Sequence, residues 1–227
     1  MQRFLDIVFS GIALFLLSPF LLFLMFILRF TGEGEIFFLQ NRVGQGGKYF
    51  KLYKLVTMLK DSPSQSTGTV TIKNDPRILP LGRFLRKTKI NELPQLINIL
   101  KGDMSFIGPR PQTQRCFNAF SEFAQKEITK IRPGLSGIGS VIFRREEDMM
   151  NANSDFDQFY DDVIMPYKGK LESWYVKNNS LWTYLLLIFF TIFVVFSGPS
   201  RLIFRCYASL PRPPRNLNSF ISSDYYE

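Results

Sequence analysis

Residues 89–111 read KINELPQLINILKGDMSFIGPRP, and the rest of the chain is best understood from this stretch outward. Leu93, Leu96, Ile97 and Leu100 recur at helical spacing, so a short amphipathic helix is expected to begin at the polar-acidic pair Asn91-Glu92. Pro94 falls in its first turn, where a missing N–H costs little. Asn91 is placed to cap the helix, its side-chain oxygen on the Leu93 amide. Gly102 is expected to stop the helix and to present Asp103. Gly108-Pro109-Arg110-Pro111 then reads as a stiff turn that fixes Arg110, whose guanidinium fork can hold two phosphate oxygens.

Composition narrows the partners. The 227 residues suffice for one compact domain with membrane-associated segments. They are 46% hydrophobic with 24 Phe, yet carry a net charge of +9. That balance fits an anionic membrane or a phosphate-bearing substrate. No aromatic-basic RNA-binding motif or recognition-helix pattern is visible, so nucleic acid is not an expected partner. The absence of His removes Ser-His and Cys-His catalysis and His-ligated zinc. Chemistry is left to carboxylates, Lys, Arg, Tyr, Ser or a metal. Cys116 and Cys206 lie far apart without CxxC spacing, which argues against a disulfide framework and suits a reducing cytosolic side.

Toward the N-terminus, residues 7–28 are almost wholly apolar and are flanked by Arg3 and Arg29. At about 1.5 Å per residue they could just cross a hydrocarbon core of about 30 Å. The run is too long for a signal peptide, and Pro19 interrupts it. An ordinary spanning helix kinked at Pro19 and a helix bent sharply there both fit the composition. In the bent form, the carbonyl freed at Pro19 needs a partner such as Ser18.

Phe38, Gln40 and Arg42 alternate with Leu39, Asn41 and Val43, and Tyr49, Lys51 and Tyr53 follow Gly44-Gln45-Gly46-Gly47, which reads as a β-hairpin around a glycine turn; the turn reading outweighs a phosphate loop because no GKS/T ending follows. Residues 61–68 are rich in Ser, Pro and Thr and read as a loop. Asn74-Asp75-Pro76-Arg77 makes a turn, and Arg83, Arg86, Lys87 and Lys89 form a basic run. Glu146-Glu147-Asp148 and the acidic residues of 155–162 are read as solvated helix faces. Residues 181–196 form a short apolar run bordered by Trp174, Tyr175, Trp182 and Tyr184, with Lys177, Arg201 and Arg205 on its flanks. An interfacial helix is the preferred reading, a short span the alternative. The tail from Pro211, with PRPPR, reads as extended or disordered.

In order and spacing, the 89–111 motif resembles the bacterial sugar transferases, the monotopic polyprenyl-phosphate phosphoglycosyl transferases that start surface-polysaccharide and glycoconjugate assembly on a lipid carrier. The resemblance extends over roughly residues 1–190. It takes in Lys54-Leu55-Val56-Thr57-Met58, Asp75-Pro76-Arg77, Arg86 and Arg132-Pro133-Gly134-Leu135-Ser136-Gly137. It implies an α+β, mainly helical, monotopic membrane protein with a re-entrant helix broken at Ser18-Pro19, a β-hairpin and interfacial amphipathic helices. The corresponding division is a membrane helix over 1–30, a catalytic domain over 31–180, an interfacial or membrane helix over 181–205 and an extended tail over 206–227. The implied location is the cytoplasmic face of the bacterial inner membrane.

The implied activity is transfer of a sugar 1-phosphate from a UDP-sugar to undecaprenyl phosphate, releasing UMP, with Mg2+. The resemblance assigns catalysis to Asn91 and Glu92, metal binding to Glu92, and substrate-phosphate contacts to Lys54, Arg77, Arg86, Arg110 and Arg132. The aromatic surface leaves room for a homodimer. Two departures stand out: the family has Asp-Glu where this chain has Asn91-Glu92, and an arginine where it has Val56. A carboxamide is a very poor nucleophile. Three explanations stay open: a diverged subgroup in which the lipid phosphate attacks directly with Asn91 as an orienting group, an engineered variant that traps substrate, and a binding protein that has lost chemistry.

Overall fold

The computed structural model describes residues 1–60, 62, 75–144, 156–197, 202–215 and 217. The loop read over 61–68 (Ser62 apart), Asn74, the run Glu146-Glu147-Asp148, Asp155 and the end of the tail lie outside the described residues. The chain forms two compact units, one made of Arg3–Asn41 and Lys51–Gly102, the other of Met1–Gln2, Arg42–Phe50 and Asp103–Glu227. The fold is mainly helical with a small β-hairpin.

The first unit opens with helix α1 (Gln2–Arg29), long and apolar enough to cross a membrane. Its middle, including Phe15, Leu16 and Phe20, is exposed. Burial is confined to its two ends, at Asp6 and Ser10 and then at Leu21, Leu24 and Leu28. Leu24 and Leu28 join Leu55 and Leu85 in a core cluster to which Met25, Ile36, Leu81 and Ile90 add. At the other end, Arg3 donates to the carbonyls of Ile99 and Leu100 at 2.5 and 2.9 Å. Pro19 lies inside α1 and lacks the N–H that would reach the Phe15 carbonyl. Ser18 Oγ donates to that carbonyl instead, at 2.8 Å.

The hairpin is as the alternation predicts: β1 (Phe37–Val43) pairs with β2 (Tyr49–Leu55). Its turn places Gly46 and Gly47 at φ 67° and 73°, where a Cβ is strained. Beyond β2, Met58 bridges Ile78 in antiparallel fashion, and α2 (Pro80–Lys87) follows with Pro80 in its first turn. Gly82 lets α2 approach this segment; a Cβ there would lie 2.1 Å from the Thr57 carbonyl oxygen. Helix α3 (Gln95–Lys101) ends at Gly102, φ 96°, as expected. The fully buried Asn98 ties α3 to β2, accepting from the Tyr53 N–H at 3.0 Å and donating to the Lys51 carbonyl at 2.8 Å. It gives the strand the two hydrogen bonds that a neighbouring strand would otherwise supply.

In the second unit, β3 (Ser105–Ile107) runs parallel to β4 (Gly134–Ser136), with Ser105 opposite Gly134 and Ile107 opposite Ser136. Between them lie α4 (Gln114–Asn118) and α5 (Glu122–Ile128), capped by Thr113 and Ser121. Helix α6 (Ile138–Ile142) follows β4. Further on, α7 (Phe156–Phe159) passes through a π-helical turn at Tyr160–Ile164 into α8 (Met165–Lys177). Helix α8 packs on α5 and α6. Helix α9 (Leu181–Ser197) buries Tyr184, Leu187, Phe190 and Val194 and leaves Trp182, Leu185, Phe189 and Ile192 exposed on its other side. A polar pin, Ser136 Oγ to Thr191 Oγ1 at 2.8 Å, fastens α9 to β4.

After α10 (Leu202–Cys206) the described start of the tail packs on the fold. Leu210 and Leu217 are buried, and the Pro211 carbonyl accepts from Tyr167 Oη at 2.8 Å, so the start of the tail is docked. Apolar residues among the prolines anchor it. Of the acidic residues read as a solvated face, Asp162 is exposed, whereas Asp161 pairs with Arg115 at 3.3 Å.

Candidate active site

Five of the predicted site residues, Lys54, Arg77, Arg86, Asn91 and Glu92, belong to the first unit, as do Ser18 and Pro19; Arg110 and Arg132 belong to the second. The motif Ile90–Glu92 is a 3-10 turn. It starts at Lys89, φ 60°, the one non-glycine with positive φ among the described residues. That left-handed residue changes the expected capping. The Leu93 N–H is taken by the Ile90 carbonyl at 3.1 Å and the Glu92 N–H by the Lys89 carbonyl at 3.0 Å. α3 therefore begins only after Pro94, and Asn91 is not its cap. Asn91 is instead buried, 5% exposed, and its Oδ1 has no hydrogen-bond partner among the described residues. Leaving such a buried oxygen unpaired is costly in a folded chain.

Glu92, the next residue, faces Lys54 from β2 at 3.7 Å, both side chains mostly buried. Arg86, on the last turn of α2, is half-buried and places Nη1 3.7 Å from Met58 Sδ. Arg77 has a different surrounding. Its guanidinium is 3% exposed, bidentate to Asp75 at 2.9 and 2.6 Å, and donates to the Ser62 carbonyl at 2.6 Å. The Asp75 bond holds its pKa above the ordinary arginine value. Its main chain accepts from Leu59, while Leu79 donates to Thr57, so Arg77 braces the strand-like pairing that positions Met58 and α2.

Among the described residues no group of three or more acidic or thiol side chains is gathered for a cation. Magnesium asks for less: one or two carboxylates with substrate phosphates and water completing an octahedron. Glu92 and the unpartnered Asn91 oxygen are hard donors adjacent along one tight turn, and they fit that demand.

Arg110 sits in the second unit on a turn shaped by backbone crossings. Gly108 donates to the Ser136 carbonyl at 3.0 Å and Gly134 to the Pro109 carbonyl at 2.9 Å. A Cβ on Gly134 would meet Gly108 N at 2.1 Å, and one on Gly108 would meet the Arg132 carbonyl oxygen at 2.5 Å. Arg132 is half-buried beside this crossing. Beneath the turn lies Glu172 of α8, 4% exposed, which sequence reasoning missed. Its one signal was a lone acid within Leu171-Glu172-Ser173-Trp174-Tyr175. Burial pushes its pKa up to about 7, against the pull of the Arg110 and Gly139 N–H groups and of the Lys168 and Arg110 charges.

Comparison with known proteins follows the same residues. The family model for bacterial sugar transferases matches residues 1–198. The UDP-N-acetylgalactosamine-undecaprenyl-phosphate N-acetylgalactosaminephosphotransferase of Aeromonas hydrophila is 34% identical over 201 residues, covering 87% of this chain and 44% of that protein. The UDP-glucose:undecaprenyl-phosphate glucose-1-phosphate transferase of Klebsiella pneumoniae is 31% identical over 202 residues, 88% of this chain and 41% of its own length. The chain thus spans less than half of either relative. It spans 83% of the exopolysaccharide production protein ExoY of Rhizobium meliloti, with 30% identity over 205 residues, 84% of this chain. With its motif, its Arg110 turn and its N-terminal helix all inside the matched residues, this chain belongs to the bacterial sugar transferase family.

Proposed function

We propose that this chain transfers a sugar 1-phosphate from a UDP-sugar to undecaprenyl phosphate, releasing UMP, as the first membrane step of polysaccharide or glycoconjugate synthesis. The observation that carries the reading is the 90–92 turn, where a buried, unpartnered amide oxygen adjoins the Lys54–Glu92 pair. The named activities of the Aeromonas and Klebsiella relatives support it. Because Asn91 is a neutral amide, the attacking oxygen is that of the lipid phosphate. It bonds to the sugar-bearing phosphorus as the bond from that phosphorus to the bridging oxygen breaks, and UMP leaves with that oxygen. Asn91 orients the reacting groups. Lys54 and Arg86 supply positive charge to phosphate oxygens, and Arg110 and Arg132 are assigned to the same chemistry. Glu92 and Asn91 Oδ1 are the oxygens that would hold magnesium, which when bound neutralises the diphosphate and the departing UMP. Arg77, buried against Asp75 and Ser62, is reassigned from phosphate contact to bracing the frame.

Incubating the purified chain with UDP-sugars, magnesium and undecaprenyl phosphate is expected to release UMP with at least one sugar. No UMP with any sugar, alongside measurable UDP-sugar binding, overturns the enzyme reading. UMP release without the lipid, with a phosphosugar adduct on the intact protein, overturns direct transfer.

The same proposal places α1 as a re-entrant helix, entering and leaving the inner membrane on its cytoplasmic face. Support comes from the docking of both of its ends within one unit, the exposed apolar middle and the Ser18 bond that replaces the donor lost at Pro19. Helix α9, with its exposed row Trp182, Leu185, Phe189 and Ile192, lies at the interface. A cysteine at Gln2 in a chain lacking Cys116 and Cys206 should resist an impermeant thiol reagent in intact cells and react after permeabilisation. Reaction in intact cells overturns this topology.

A further inference from the structure

The turn that carries Arg110 has one main-chain donor to place. Pro109 and Pro111 have none, and the Gly108 N–H is taken by Ser136. The Arg110 N–H remains, and it donates to the carboxyl of Glu172 together with the Gly139 N–H. A buried main-chain N–H needs an acceptor, and here the acceptor comes from a helix distant in sequence. Helix α6 makes room for it: a Cβ on Gly139 would lie 2.4 Å from Glu172 Oε1. One turn earlier on α8, Lys168 is buried over the rings of Phe143 and Tyr160, at 5.1 and 5.5 Å from their centroids, and its charge acts on Glu172. Glu172 Oε2 has no hydrogen-bond partner among the described residues, so the carboxyl is committed through one oxygen. A buried carboxyl held in this way is a poor device for stability alone, since an apolar side chain of the same size packs without desolvating a charge.

We propose that Glu172 is a positioning residue for Arg110: it fixes the Arg110 main chain against α6, so that the guanidinium is presented to the substrate diphosphate in one orientation. This rests on the reading that Arg110 binds diphosphate. The test uses the full chain in detergent with magnesium and UDP as the probe. Binding is measured by calorimetry for the wild type, Arg110→Ala, Glu172→Ala, Glu172→Gln and the Arg110→Ala/Glu172→Ala pair. Arg110→Ala is expected to weaken UDP binding about tenfold or more, and Glu172→Ala by about as much. Glu172→Gln, which keeps a carbonyl oxygen for the two N–H groups, should stay within about threefold of the wild type. The double variant should bind no worse than Arg110→Ala alone, a non-additivity that general loosening of the fold would not produce.

A wild type that binds UDP no better than Arg110→Ala defeats the diphosphate reading and this inference with it. Loss of binding in Arg110→Ala with wild-type affinity in Glu172→Ala overturns the inference alone. Should Glu172→Ala fail to fold, hydrogen exchange in the wild type decides: the Arg110 amide is expected to exchange as slowly as the β3 and β4 amides. Exchange at the rate of an open loop overturns the assignment.

Discussion

Two short turns, residues 90–92 of the first unit and 108–111 of the second, hold residues to which the proposed chemistry is assigned, and they are built in opposite ways. The first satisfies its main chain locally, through Lys89 and Ile90 carbonyls, and leaves a buried side-chain oxygen on Asn91 without a partner among the described residues. The second satisfies its main chain from afar, through Ser136 and Glu172, and offers a side chain, Arg110. In one turn a buried polar side-chain atom is unpaired among the described residues. In the other it is consumed in holding the backbone. Under the proposed function, the first would offer an oxygen to a ligand, and the second would use buried structure to aim a charge.

The largest effect should come from the glycines that let the frames close. Gly134→Ala drives a methyl to 2.1 Å from Gly108 N, and Gly82→Ala drives one to the same distance from the Thr57 carbonyl oxygen. Both obstacles are backbone and cannot rotate away. Each substitution is expected to cost at least about 3 kcal/mol, and thermal unfolding should show loss of the folded state or a much lower midpoint. An unchanged midpoint for Gly134→Ala would mean that the strand crossing does not set the Arg110 turn.

Next in size is Glu92→Gln. Removing the carboxylate while keeping its shape should lower kcat/KM for UMP release by about a hundredfold to a thousandfold, or about 3–4 kcal/mol of transition-state stabilisation. Activity within threefold of the wild type would remove Glu92 from the site and leave the second turn as the better supported of the two.

These expectations follow from parts of the molecule that differ in how far they could be read in advance. The hairpin was legible because alternation and a glycine turn are local signals, and Gly102 was legible as a helix stop for the same reason. Capping by Asn91 was not, because a left-handed Lys89 has no propensity signal and moves the helix start past Pro94. The burial of Arg77 depends on Ser62, and the role of Glu172 depends on N–H groups from two other segments. Contacts between distant residues leave little trace in composition or spacing. The order of the motif pieces could be read; which side chain would be buried, and against what, could not.

The buried acid of the second unit has a pH signature. With a folded pKa of about 7 against an unfolded value of 4.5, Glu172 holds its proton more tightly in the native state. Its favourable contribution is complete below pH 4.5 and is lost as pH rises through 7. The loss amounts to about 3 kcal/mol. Denaturant midpoints of Glu172→Gln should be flatter than those of the wild type across that window. Parallel curves for the two proteins would show that the carboxyl is not buried as described.

The smallest effect on stability, and the sharpest contrast between the turns, is expected from Asn91→Ala. An ordinary buried amide is hydrogen-bonded, and truncating it strands its partner, which costs about 1–3 kcal/mol. Among the described residues Asn91 Oδ1 has no partner to strand, and removing it also removes an unpaired acceptor from a buried position. Asn91→Ala should therefore leave the midpoint of unfolding within about 0.5 kcal/mol of the wild type, or raise it slightly, while UMP release falls steeply. The opposite pattern, a large drop in stability with activity retained, would make Asn91 a structural residue and move the reactive centre elsewhere. If both quantities hold at wild-type levels, the orphan oxygen has no ligand, and the contrast between the turns disappears.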